Sequence, residues 1–140
     1  MEENLKQRVA IYCRSCHKKT DEIVEFQTTS PIYRIVRNPE WKLEKIYGDY
    51  GIDGAIDSPQ PSLHQLVDDC RNGKIDIVVF RGMSRLNRDT LKALEFIRKF
   101  QELGIRVIFD KEGIDTNDPY AEMVLNIMKT IAEEDNMRKE

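Results

Sequence analysis

The feature that most restricts the fold of this chain is a short apolar run near its middle. The run covers residues 75–80 (IDIVVF) and follows the turn-forming pair Asn72-Gly73. An almost continuous apolar run of this length is typical of a strand that is buried on both faces, as strands of parallel sheets are. It therefore predicts a central strand of a parallel sheet.

Strand-like and helix-like patterns alternate along the rest of the chain. With the central run, the predicted strands cover residues 8–14, 41–50, 75–80 and 105–109. The predicted helices cover residues 21–36, 61–71 and about 87–103, with a final helix that carries Ala121, Val124, Met128 and Ile131. This alternation indicates an α/β fold with a mostly parallel sheet of about four strands, helices on both faces and a C-terminal helix.

Two of these segments contain interruptions. The pair Ser30-Pro31 falls within the first predicted helix, and we expect it to kink that helix or to restart it as a second segment. Residues 51–61 are rich in Gly, Asp and Pro, which predicts a long mobile loop of the kind that serves as a binding flap.

The central strand is followed directly by an arginine-rich stretch. Arg81, Arg85 and Arg88 lie within eight residues of one another. If this stretch is already helical, Arg85 and Arg88 share a face near the amino end of the following helix. Guanidinium groups beside free helix-start amides favour a phosphate-bearing partner, and the alternative is a solvated charged loop.

A second basic cluster lies at the end of the first predicted strand, from Arg14 to Lys19. The carboxyl ends of parallel strands lie at one edge of a sheet, where ligands of open α/β sheets bind. We therefore expect Arg14 and the stretch 81–88 to converge on one anion pocket, which favours a binding site over scattered surface charge.

Composition sets the limits within which such a site acts. The chain has 140 residues, with 22 basic and 25 acidic side chains, so a nucleic-acid role depends on local clustering of arginines. Three cysteines, no signal peptide and no membrane-length apolar run predict a cytoplasmic protein without a membrane partner. The charged segment 133–140 ends without a cap, which suggests a single domain, 1–140, from a longer protein.

Several motifs in order resemble those of serine site-specific recombinases, the resolvase and invertase family. Residues 12–16 (YCRSC) resemble its Tyr-x-Arg-Val-Ser signature, and Gln27 falls where the family has a glutamine in its first helix. Residues 47–54 resemble the flap of the family, residues 73–76 its central strand, and residues 83–88 its arginine motif, in the form with Ser84 that large recombinases have. Two later motifs also match, at residues 112–116 and 132–134.

This resemblance implies a catalytic-type domain that cuts and rejoins DNA through a covalent protein–DNA phosphate linkage. It implies Arg14, Arg85 and Arg88 as catalytic residues, Cys16 at the nucleophile position, and Ser84 and Gln27 as supporting residues. It implies no metal, cofactor or small-molecule substrate, a homodimer or tetramer formed through the C-terminal helix, and DNA-binding domains beyond residue 140.

Two positions depart from the family pattern. Cys16 stands where the family has its nucleophilic serine, and Gln60 stands where its flap has an active-site arginine. A thiolate forms more readily than an alkoxide, but its bond to phosphorus is less stable than that of a serine oxygen. Without the flap arginine, one positive charge that would compensate the negative charge of the transition state is missing. A catalytically silent DNA-binding or dimerising relative is therefore the alternative function. Ser15 is a weak substitute nucleophile because adjacent strand residues point to opposite sides.

The cysteines also suggest other chemistry. Cys13 and Cys16 form a CxxC pair, so a thiol redox protein is a less favoured alternative, since Cys13 is predicted within a strand. Covalent haem attachment is disfavoured because the chain has no export signal, and zinc binding is disfavoured because too few ligands are available. A cysteine phosphatase is excluded because no cysteine is followed by an arginine at the spacing of that motif. We interpret Cys70 as a core residue, and His17 and His64 as surface residues. The flap aspartates Asp49, Asp53 and Asp57 are interpreted as turn formers.

Overall fold

A computed structural model describes residues 5–51 and 59–139. The described chain forms a five-stranded sheet in the order β2-β1-β3-β4-β5. The strands are β1 (Gln7–Arg14), β2 (Trp41–Asp49), β3 (Ile77–Phe80), β4 (Arg106–Phe109) and β5 (Ile114–Asp115). The helices are α1 (Asp21–Val36), α2 (Pro61–Arg71), α3 (Thr90–Glu102) and α4 (Ala121–Lys139). The predicted α/β fold is confirmed.

The sheet is parallel except at one edge. β1, β2, β3 and β4 run parallel, whereas the two-residue β5 pairs with β4 in the antiparallel direction. β5 was not predicted, because two residues are too few to show a strand pattern.

Alternating side chains of the sheet pack into two separate layers. Val9, Ile11 and Cys13 of β1 face the layer that contains Ile35 of α1. Ala10 and Tyr12 face the opposite layer, to which α2, α3 and Leu125 of α4 contribute. Helices thus cover both faces, and the sheet edge at the carboxyl ends of the strands stays available for a site.

The charged pattern of β2 reflects its position at the other edge of the sheet. The pairing register with β1 shifts between Val9 and Ala10, so one extra residue of β2 is accommodated there. Lys42 and Glu44 of this strand form an ion pair. Charges and irregular pairing are usual on edge strands, where they oppose pairing with other chains.

The first helix does not break at its proline. α1 is continuous from Asp21 to Val36 with Pro31 inside it, so the predicted restart is wrong. Thr20, a residue type common at helix N-caps, caps the helix by accepting a hydrogen bond from the Ile23 amide at 3.1 Å. The carbonyl of Phe26, five residues before the proline, accepts a hydrogen bond from Arg81 at 2.9 Å.

The third helix begins later than predicted, at Thr90 instead of about residue 87. Met83–Arg85 forms a short 3₁₀ turn, and Asp89 then caps α3 by accepting from the Leu91 amide at 2.9 Å. Among the described residues, no helix has both the length and the apolar character needed to cross a membrane. The predicted flap positions Asp53 and Asp57 lie outside the described residues.

Candidate functional site

Arg14 links the end of β1 to the segment that follows β3. Its side chain is buried, and Nε and Nη2 donate to the carbonyl oxygen of Ser84 at 3.1 and 2.7 Å. The two predicted basic clusters are therefore in direct contact, although 70 residues separate them in sequence.

The backbone of Arg14 is held from the other side by Gln27 of α1. The Gln27 amide accepts from the Arg14 N–H and donates to the Arg14 carbonyl, both at 2.9 Å. Gln27 is 2% exposed, so this pair of bonds lies in the protein interior. It fixes where the Arg14 side chain leaves the strand.

Arg85 and Arg88 lie close to Arg14. Arg85 Nη1 donates to the Arg14 carbonyl at 3.2 Å, and Arg88 is exposed to solvent. The pKa of Arg14 is lowered, first by burial and then by the positive charges of Arg88 and Arg85. The positive charges of Arg85 and Arg88 thus act on Arg14 at this edge of the sheet.

No carboxylate neutralises these three arginines within residues 5–51 and 59–139. The ion pairs formed there involve other cations, such as Arg8 with Asp76 and Arg34 with Asp110. Main-chain carbonyls orient Arg14 and Arg85 without cancelling their charge. The arrangement is suited to binding an anion with several oxygen atoms.

The sequence suggested that Arg85 and Arg88 could lie on one α-helix, but in the structure they do not. Arg85 ends the 3₁₀ turn and Arg88 precedes the Asp89 cap of α3, so the condition for a shared helical face, a helix that already includes both residues, is not met. We refer to residues 83–88 as the arginine loop. Glu112 accepts from the Met83 amide at 3.1 Å, which fixes the start of this loop.

Cys16 and Ser15 occupy different surroundings at the end of β1. Cys16 is exposed and close enough for a thiolate there to raise the pKa of Arg14. Ser15 is buried, and its Oγ accepts from the His17 amide at 3.1 Å. Cys16 is therefore the nucleophile-type side chain that solvent reaches, while Ser15 is occupied within the loop. Ser84 is exposed, and its carbonyl contacts Arg14.

The other two cysteines are interior residues. Burial raises the pKa of the Cys13 thiol, and burial followed by the nearby Asp69 charge raises that of Cys70 to about 12. A raised pKa disfavours the thiolate that redox exchange requires. No group of His, Cys, Asp and Glu suited to a metal ion is found in the described part of the chain.

A buried polar network beside the arginine loop was not predicted. Asp49, at the end of β2, accepts from the Tyr12 hydroxyl at 2.6 Å and from the Ser62 and Leu63 amides at 2.9 and 3.1 Å. The interpretation of Asp49 as a turn former is therefore wrong. The pKa of Tyr12 is raised, first by burial and then by its bond to Asp49.

Gln60 belongs to the same network. It is 6% exposed and bonds to Tyr12, Leu86 and Asn87. The sequence placed it in a flap, and nothing in the local pattern distinguishes a buried glutamine from an exposed one before a proline. The only available signal was its position directly before the amphipathic helix α2.

Fold and site together define an α/β domain with a cluster of arginines at the carboxyl edge of its sheet. The chain belongs to the family described as Resolvase, N terminal domain, whose model matches residues 9–139. This confirms the resemblance to serine site-specific recombinases that the motifs suggested.

The chain is similar to part of several curated relatives. The Tn501 resolvase of Pseudomonas aeruginosa is 31% identical over 105 residues, which are 69% of this chain and 54% of the relative. A resolvase/recombinase of Pseudomonas putida is 30% identical over 63 residues, 45% of this chain and 35% of that protein. The matched segments thus span about a third to a half of these relatives.

Two solved structures share the fold. The N-terminal catalytic domain of TP901-1 integrase has a TM-score of 0.78 and 24% identity, covering 96% of this chain and 100% of that one. A resolvase family site-specific recombinase from Streptococcus pneumoniae has a TM-score of 0.69 and 22% identity, covering 95% and 91%.

Proposed function

We propose that this chain is the strand-exchange domain of a site-specific DNA recombinase. The observation that carries the proposal is the meeting of Arg14 with the arginine loop, without a neutralising carboxylate among the described residues. Family membership and the names of the relatives, several of them transposon resolvases, support DNA as the partner.

In this proposal the arginines bind a backbone phosphodiester. Its non-bridging oxygens take the place of the missing carboxylate, and the guanidinium groups compensate the additional negative charge of the transition state. Arg14, the most buried of the three, is held by Gln27 and Ser84, so it is oriented before DNA arrives. Arg85 and Arg88 approach from the arginine loop.

The covalent step would begin at residue 16. A deprotonated side chain attacks phosphorus, the bond from phosphorus to the 3′ oxygen breaks, and the proton ends on the departing 3′ hydroxyl. With Cys16 the new bond joins sulfur to phosphorus, and with serine it joins oxygen to phosphorus. The step is a transesterification in which nothing is oxidised or reduced.

The identity of Cys16 favours a second candidate, a relative that binds DNA and assembles but does not cleave. Sulfur bonded to phosphorus is a less favourable product than a phosphate ester of serine. The exposure of Cys16 means that a serine there would reach the same solvent-facing position. One substitution therefore separates the two candidates.

A second copy of the chain is the proposed protein partner, bound through α4. Exposed apolar side chains recur at helical spacing along one face of this helix, opposite the buried Leu125. They are Met123, Ile127 and Ile131, and Tyr120, directly before the helix, continues the row. An apolar stripe of this length on an otherwise charged helix is typical of helix–helix association.

Covalent capture tests the proposed reaction. The protein is incubated with a random-sequence library of nicked DNA duplexes, and adducts that survive denaturation are counted for the wild type and for Cys16→Ser. We expect both proteins to retard the DNA and Cys16→Ser to give several-fold more adduct. Retardation without adduct in either protein supports the silent relative, and failure of both proteins to retard DNA contradicts the proposal.

A further inference from the structure

Gln60 makes contacts that no helix cap requires of it. It occupies the N-cap position of α2 but makes no capping hydrogen bond with its side chain. Asp49 performs that function from β2 by accepting from the Ser62 and Leu63 amides. The Gln60 side chain is thereby released to point towards the arginine loop.

All polar groups of this side chain are used in bonds to two other segments. Nε2 donates to the Leu86 carbonyl at 2.7 Å and to the Tyr12 hydroxyl at 3.1 Å. Oε1 accepts from Asn87 Nδ2 at 3.0 Å. Because Gln60 is buried, losing any of these bonds leaves a polar group unsatisfied inside the protein.

These bonds hold the C-terminal half of the arginine loop. Glu112 holds Met83, and the Arg14 guanidinium holds Ser84. Gln60 holds Leu86 and Asn87, the residues between Arg85 and Arg88. Without the Gln60 bonds, this part of the loop keeps the buried side chain of Leu86 and the Arg85 bond to the Arg14 carbonyl, but it loses the side-chain hydrogen bonds that tie Leu86 and Asn87 to the start of α2.

We propose that Gln60 is a positioning residue that sets Arg85 and Arg88 at the distance from Arg14 that a phosphodiester requires. This inference rests on the proposed function for its ligand. It assigns the residue at the expected flap-arginine position a different task from supplying charge. An arginine at position 60 would have to displace the bonds to Tyr12, Leu86 and Asn87.

The Nε–H group of Arg14 reports on this bracing without any ligand. Its bond to the Ser84 carbonyl is made only when the arginine loop is in place. Hydrogen exchange of this group is measured by NMR in the wild type and in Gln60→Met. We expect exchange about five- to tenfold faster in the variant, the factor that corresponds to one net hydrogen bond.

Two further variants separate positioning from general stability. Tyr47→Phe removes another buried bond to α2, that with Asp69, which does not involve the arginine loop. We expect wild-type Arg14 exchange in Tyr47→Phe. Gln60→Asn retains a polar amide, but its side chain is too short to reach the same partners, so we expect it to behave as Gln60→Met does. If Gln60→Met does not fold, Gln60→Asn tests the positioning role in its place.

A mixed-sequence DNA duplex distinguishes this inference from the proposed function. We expect the Gln60 variants to bind the duplex several-fold more weakly than Tyr47→Phe does. Unchanged Arg14 exchange in both Gln60 variants would overturn the positioning role, whatever the wild type does with DNA. A wild type that does not bind the duplex would instead contradict the proposed function and leave the exchange result intact.

Discussion

At the residue scale, the chain separates arginines that are paired with carboxylates from arginines that are not. Arg8 donates to Asp76 through Nε, Nη2 and its backbone amide, at the amino end of the sheet. Arg14 lies at the other end of the same strand and bonds only to main-chain oxygen. One strand thus carries a structural cation at one end and an available cation at the other.

The Arg8–Asp76 pair makes a prediction about pH. Hydrogen bonds from Arg8 lower the pKa of Asp76, so the pair stabilises the fold fully above the unfolded value of about 4. That contribution is lost as pH falls through the lower folded pKa. Replacing Asp76 by Asn should cost about 1 kcal/mol of unfolding free energy at pH 7 and almost nothing at about pH 2.

Urea unfolding at several pH values measures this difference. Asp68→Asn is the matched control, because Asp68 and Arg71 form a more exposed pair within α2. The control should change the unfolding free energy at pH 7 by less than about 0.5 kcal/mol. A cost for Asp76→Asn that persists unchanged at low pH would contradict the ion-pair account.

At the element scale, helix boundaries were predicted well where the local pattern determines them. Thr20 before Asp21 and the apolar spacing of α2 were sufficient for α1 and α2 to begin where predicted. The continuity of α1 through Pro31 could not be predicted from the local pattern, because Pro31 has no N–H to donate to the Gln27 carbonyl four residues before it. Pro31 and Ile35 are buried, and Ile35 belongs to the core layer against the sheet, so tertiary packing overrides the local preference of the proline there.

At the same scale, the exposed apolar stripe of α4 leads to a prediction about self-association of the chain. Ile127→Glu places a charge at its centre and should shift the protein from dimer towards monomer, at least tenfold in dissociation constant. Sedimentation over a range of concentrations measures the shift. Lys129→Glu introduces the same side chain on the opposite face and should leave assembly unchanged; equal effects of the two variants, or a monomeric wild type, would argue against the stripe.

At the scale of the whole molecule, the sheet and its cationic edge were predictable because each depends on short runs of sequence. Strand order within a parallel sheet brings the ends of β1 and β3 together, so Arg14 and the arginine loop could be matched in advance. The network of Asp49 and Gln60 could not, because its bonds join residues 13 to 48 positions apart. The periodicity of apolar residues indicates which face of a helix or strand is buried, but it does not identify the hydrogen-bond partners of buried polar side chains.

The central claim is that Arg14, Arg85 and Arg88 together bind the phosphate backbone of DNA. The salt dependence of binding to a mixed-sequence duplex tests it most directly, since each phosphate contact contributes about 0.9 to the slope of log affinity against log salt concentration. Arg85→Gln and Arg88→Gln should each make the slope shallower by about that amount, whereas Arg71→Gln, on α2, should not. Slopes that stay at the wild-type value in both loop variants would contradict the claim.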